Sequence, residues 1–305
     1  IFHKISGILY LEGRKINNMA TGDSGNFGGS LLEVIEAEAI LKFSEASVSV
    51  PLVKQKSEPK ADQITFIAYN AGTNQVTSAD VANTGEGDVT PSTALDSEKK
   101  TITLDMYSVM LPIYDEAKLS NADDVYANAG ALAGNAMASK LDSLVNALYD
   151  GFTNAVGGAS ETIDVDDLFQ CLAHLKENSA PGQPNAVLDP RQIWGTYGIH
   201  NDLITQAQFA GSGIQDEGAR NGFVSRIAGI GIHSSPEFTV ASTAVKGGVF
   251  VPEAIGFGYA GEMMRVEEYR EGSFLRSNII VSSFCGATEI IDGYGVEMHS
   301  RVEAP

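Results

Sequence analysis

The spacing most suggestive of chemistry is the GxGxxG pattern formed by Gly256, Gly258 and Gly261. Such glycines let a backbone curl around a pyrophosphate when a strand precedes them, a helix opens on the last one, and an acid follows about 20 residues on. Here Met263, Arg265, Val266, Glu267 and Tyr269 read as a strand, and Val281, Ser282 and Ser283 stand where the acid should be. The pattern therefore reads as a structural turn. No GxxxxGK phosphate loop occurs, since the stretch from Gly130 to Gly134 lies in a helical pattern and has no lysine. His3, His174, His200, His233 and His299 are scattered, with no HExxH, and His174 sits beside the apolar face of an amphipathic segment as a structural histidine would. There is no GxSxG elbow for a serine nucleophile. The acidic pairs Asp166-Asp167 and Glu267-Glu268 are sequence neighbours whose side chains diverge, which predicts solvated surface. Cys171 and Cys285 lie far apart with no CxxC, and they read as two buried thiols. No catalytic residue, cofactor-binding residue or metal ligand is predicted, and the chain is not expected to be an enzyme.

The elements around these residues carry more information. The chain has 305 residues, 43% of them apolar and 19% charged, enough to bury a sizeable core split between two lobes. Its 39 acidic and 20 basic residues give a formal charge of −19, which disfavours sequence-specific binding to a phosphate backbone but permits a protein that merely encloses DNA. No stretch reaches the ~18 apolar residues of a membrane span. Residues 1–18 precede Met19 and a run of small residues to Gly25, and they are expected to be an extension outside the native fold.

Apolar spacing predicts a helix over 31–43, capped by Ser30 with Glu33 completing a capping box. The segment 48–53, interrupted by Pro51, reads as an extended arm rather than a sheet interior. Alternation predicts a strand over 62–69, with Ile64, Phe66 and Ala68 on one face. A second strand is predicted from 99 to 113, where Ile102, Leu104 and Met106 give way near Tyr107 to Val109, Leu111 and Ile113, suggesting a bulge. Between them, 72–100 is about 28 residues of Thr, Ser, Asp and Gly without periodicity. A loop that long serves a function, either as an enzyme lid or as a ribbon reaching a neighbouring subunit.

A helix of some 28 residues, about 42 Å long, is predicted to end at Asp150-Gly151. Val125, Ala129, Leu132, Ala136, Met137, Leu141, Leu144 and Leu148 form its apolar face, and the Ala- and Gly-rich first half suits close packing of another backbone. A mixed α/β region follows. Asp164 caps one helix, 186–188 is a short strand, and Asp189-Pro190 opens another helix. Strands are then read at 248–255, 263–269, 274–284 and 295–299.

This order resembles that of tailed-bacteriophage major capsid proteins with the Hong Kong 97-type capsid fold. Residues 43–53 are similar to the family's N-terminal arm. Ile64-Thr65-Phe66 and the run from Ile102 to Tyr107 look like the two sides of its extended loop, the E-loop, with Gly85-Glu86-Gly87 as an acid-glycine turn. Tyr114 to Ser120, leading into Asp123, resembles the entry to the spine helix, 164–190 the opening of the axial domain, and 221–229 a later turn and strand of it. The resemblance implies an α+β chain divided into an extension at 1–18, an arm at 19–54, an E-loop ribbon at 55–114, a spine helix of the peripheral domain at 115–155, an axial domain at 156–262 and return strands at 263–305. It further implies self-assembly through hexamers and pentamers into an icosahedral head around double-stranded DNA. Scaffolding, portal and decoration proteins are the implied partners, and the virion, assembled in the host cytoplasm, is the implied location. Some members link an E-loop lysine covalently to a neighbour's asparagine; Lys99 and Lys100 lie near the expected ribbon tip, but no crosslink is predicted. An encapsulin-type nanocompartment shell would show the same order, and a soluble enzyme with an acidic lid is the alternative from another class.

Overall fold

The computed structural model describes residues 24–69, 97–120, 125–200, 226–241 and 243–303. The chain forms α1 (Ser24–Ala46), β1 (Lys54–Glu58), β2 (Gln63–Tyr69), β3 (Ser97–Thr103), β4 (Asp105–Tyr114), α2 (Asp115–Ser120) and α3 (Val125–Asn146). Then come β5 (Ala155–Gly157), α4 (Val165–Glu177), β6 (Asn185–Leu188), α5 (Pro190–Trp194), β7 (Arg226–Ile227), β8 (Ile230–Ser234) and β9 (Ala244–Phe250). The last elements are β10 (Ile255–Ala260), β11 (Arg265–Glu271), β12 (Arg276–Glu289) and β13 (Gly295–Arg301).

Two sheets and one ribbon result. The long β12 is the axis of the first sheet, with β4 along one edge and β11 and then β10 along the other, while β1 joins β10 in parallel. The second sheet has the order β5-β13-β9-β6-β8-β7. The ribbon is β2 against β3, antiparallel from Gln63↔Thr103 to Tyr69↔Ser97.

Several expectations hold in detail. On β2, Ile64, Phe66 and Ala68 are buried as the alternation requires. Asp164 opens α4 in a capping box with Asp167, and Asp189 opens α5 with Pro190 in its first turn. Others need correction. Helix α1 already runs through Ser30, so that residue is not its cap; Gly28 and Gly29, poor helix formers, hide the earlier start from a local reading. The second strand is two strands, and the change of parity is no bulge. The chain leaves the ribbon at Leu104, whose amide donates to the Asp62 carbonyl at 2.9 Å, and re-enters the body sheet as β4. Of the 55–114 stretch, then, only β2 and β3 pair with each other, while β1 and β4 belong to the five-stranded sheet.

Helix α3 is 22 residues, about 33 Å, rather than 28. The chain turns out of it because Tyr149 is fully buried against Phe250, Phe238 and Phe152, with ring centroids 5.2, 6.1 and 6.3 Å away. Its buried face departs from the expected one at two positions. Leu132 is 64% exposed and Ala136 is exposed too, while Ala129, Met137 and Leu141 are buried as expected and Gly130, Ala133 and Gly134 are buried with them. The reason is close packing by α1: a Cβ on Gly130 would stand 2.8 Å from the Ile35 carbonyl oxygen, and one on Gly134 would strike that of Ala39. The expected close approach of a second backbone is thus met, and α1 supplies it.

Lower on the same face, Asp142 and Asn146 hold three segments together. The buried Asp142 carboxylate accepts from the Val48 amide at 2.7 Å, the Ser47 hydroxyl at 3.0 Å, and the Ser49 and Val50 amides at 3.1 Å. Asn146 accepts from the Ser49 hydroxyl at 2.6 Å, and its amide donates to the Ser235 hydroxyl at 3.2 Å and the Glu237 carbonyl at 3.1 Å. Burial pushes the Asp142 pKa above the ordinary carboxylate value, against the pull of the Val48, Val50, Ser47 and Ser49 donors. Its folded pKa therefore exceeds its unfolded one. The stability it contributes is complete below the unfolded value of about 4 and is lost as pH rises through the raised folded value. Asp142→Ala strands four buried donors and should cost on the order of 3 kcal/mol. Asp142→Asn should flatten the pH dependence of stability above about pH 4. Urea unfolding between pH 3 and 7 checks both, and an Ala variant as stable as the parent would contradict the first.

Candidate assembly interface

The ribbon of β2 and β3 is built onto the body through glycines. Ile64, Phe66 and Ile102 on the inner ribbon face lie on β10 and β12 where Gly256, Gly258 and Gly286 carry no side chain. A Cβ on Gly256 would meet the Phe66 ring at 2.8 Å, and one on Gly258 would meet Ile64 at 3.1 Å. One on Gly286 would stand 2.6 Å from Ile102 Cγ2 and 2.8 Å from the Thr103 carbonyl oxygen. Two glycines of the GxGxxG pattern thus sit in a strand and form a seat for the ribbon, so the expected turn is corrected. Only Gly261, at φ +71°, stands at a turn. The clue available in the sequence is glycine at i and i+2 inside an apolar strand, a sign of close approach by another part of the chain. The pair Asp142 and Asn146 also escaped sequence reasoning, although polar residues at i and i+4 on an otherwise apolar helix face were a visible signal.

The ribbon's outer face carries no such cover among the described residues. Ile67 is 46% and Tyr69 44% exposed, and Lys99, opposite Ile67, is exposed beside them. Lys99 and Lys100 therefore lie on the paired part of the ribbon, and the segment between Tyr69 and Ser97, including Gly85 to Gly87, lies outside the described residues. Met106, Met110 and Tyr114 are exposed along one face of β4, and Phe274 and Leu275 at the turn between β11 and β12.

The residues singled out for possible chemistry do not converge. Asp167 is not solvated surface but half of the α4 capping box, accepting the Asp164 amide at 2.8 Å; burial pushes its pKa up. Asp166, Glu267 and Glu268 are exposed, as expected. Cys171 and Cys285 are free and buried, and burial pushes the Cys171 thiol up to about 12, far from a reactive thiolate. Burial lowers the pKa of His233. No group of three or more His, Cys, Asp or Glu side chains able to hold a metal occurs among the described residues, and no described helix is long and apolar enough to cross a membrane. A cavity of about 490 Å³ lies between the end of α3 and the six-stranded sheet, but the lysine lining it, Lys246, is engaged by Asp150 and, at 3.0 Å, by Glu297.

The seat can be tested directly. Gly286→Ala should destabilise the chain by about 1–3 kcal/mol, because Ile102 and the Thr103 backbone must shift together. It should also speed proteolysis within 59–104. A variant with the parent's unfolding midpoint and cleavage rate would mean that the ribbon root is not held this way.

No protein-family model and no curated protein sequence matches the chain. Solved structures do. A chain of the capsid of the cyanophage P-SCSP1u aligns at a TM-score of 0.62 and 16% identity, over 85% of this chain and 89% of that one. A chain of the mature capsid of bacteriophage PhiM1 aligns at 0.59 and 12% identity, over 96% and 92%. A virus-like particle from Pyrococcus furiosus aligns at 0.56 and 12% identity, over 87% and 98%. At such identities the shared property is the arrangement of the chain: this protein has the Hong Kong 97-type capsid fold.

Proposed function

We propose that the chain is the major capsid subunit of a tailed bacteriophage, a structural protein and not an enzyme. Copies of it would form the hexamers and pentamers of an icosahedral head around double-stranded DNA. The observation that carries this reading is the ribbon, rooted in the body at Gly256, Gly258 and Gly286 yet open on its outer face at Ile67, Tyr69 and Lys99. Residues 70–96 would grip an adjacent copy, the arm at 19–54 would cross to another, and 156–262 would be the axial domain around which capsomers close. Residues 115–155 and 263–305 would make the peripheral domain. Each contact is weak alone, but many long-reaching contacts reinforce one another through effective concentration. A surface at −19 encloses DNA without adhering to it. Scaffolding, portal and decoration proteins are further partners of such a head, which assembles in the host cytoplasm and ends in the virion. DNA, rather than a cargo enzyme, inside purified shells separates a phage head from an encapsulin.

The test is to replace residues 71–95 by a short Gly-Ser linker, which spares the β2–β3 pairing. The expected product is a folded subunit with the parent's unfolding midpoint that forms no shells. Normal shells from this variant would contradict the role given to the segment.

A further inference from the structure

The end of α3 does not close onto the six-stranded sheet. The cavity between them, about 490 Å³, falls within the size range of small-ligand pockets. Its walls come chiefly from the last turn of α3, the connection 237–241 between β8 and β9, and β9 and β13 themselves. One wall is fixed in advance. The Phe238 ring packs on the buried Tyr149, with centroids 6.1 Å apart, and the Asn146 amide donates to the Glu237 carbonyl at 3.1 Å. Such a wall needs little reordering to receive a ligand.

The lining divides into two kinds of surface. Phe238, Ala147, Ala241 and Ala244 offer an apolar patch that suits an aromatic or hydrocarbon body. The charges are mostly negative. Asp150 and Glu237 line the cavity, and Glu297 lies beside it, 3.0 Å from Lys246. Lys246 is the one lysine or arginine of the lining, and it is already shared between Asp150 and Glu297. Glu237 makes no ion pair with any described residue. His299 is the remaining titratable group of the lining. Three carboxylates thus face one ammonium, and the carbonyl end of α3 adds further negative potential.

We infer that this cavity is a binding site for a small organic amine, its apolar body against Phe238 and the alanines and its ammonium toward Glu237 and Asp150. A ligand placed so touches α3 and the six-stranded sheet at once and ties them together. The inference needs only the folded subunit and does not rest on shell formation.

Thermal unfolding of the purified full-length protein tests it with two compounds of the same ring and opposite charge, phenethylamine and phenylacetate, at equal ionic strength. Phenethylamine should raise the unfolding midpoint saturably, with half its effect below roughly 10 mM, as suits a ligand of so few atoms. Phenylacetate should leave the midpoint where it is. Glu237→Gln removes one carboxylate and should weaken the amine by about three- to fivefold. Ala147→Leu puts a larger side chain into the cavity and should abolish the effect; if that variant does not fold, Glu237→Gln decides alone. No rise with phenethylamine up to roughly 50 mM overturns the inference, as does an equal rise with phenylacetate. A rise undiminished by either substitution does the same, because the amine then binds elsewhere.

Discussion

The placement of the β2–β3 ribbon depends on a contact in which side chains meet bare backbone. Ile64, Phe66 and Ile102 lie on strand positions where Gly256, Gly258 and Gly286 leave no Cβ in the way. Close packing makes such a seat unforgiving, since an added methyl must displace a buried neighbour. The described ribbon, Gln63 to Tyr69 against Ser97 to Thr103, is held to the body through Ile64, Phe66 and Ile102.

The spine helix α3 organises the other side of the body by the same device and by its opposite. Near its start, Gly130 and Gly134 bring α1 into backbone contact, with no polar group involved. Near its end, Asp142 and Asn146 bring the turn after α1 and the segment at 235–237 together entirely through hydrogen bonds. Buried polar groups of this kind are costly unless fully satisfied, and when satisfied they fix one arrangement among the packings an apolar face would tolerate. The long β12, bonded to β4, β11 and β10, then carries that fixed geometry across to the ribbon seat.

Much of this was legible in the residues. The alternation of β2, the caps at Asp164 and Asp189, the strands read at 263–269, 274–284 and 295–299 and the small-residue half of α3 follow from local rules, and the structure bears them out, whereas the strand read at 248–255 is broken, β9 ending at Phe250 and β10 beginning at Ile255. What local rules could not supply was partnership across the chain. Lys54–Glu58 has no apolar alternation, and it is a strand only because β10 offers a parallel edge. The strand exchange at Leu104 looked like a bulge because a change of sheet and a change of face leave the same trace in sequence. Leu132 was assigned to the core on hydrophobicity, whereas the face beside Gly130 and Gly134 won because α1 needed the room. The candidate interface was legible as a long unpatterned stretch, but its mount was not, because three glycines of two distant strands have to be seen together.

The central claim, that this chain builds a shell with its own copies, is met most directly by sedimentation and electron microscopy of the purified full-length protein. The account predicts closed particles in the megadalton range with ordered capsomers. A monodisperse monomer or small oligomer, unchanged across salt concentration and protein concentration, would contradict it.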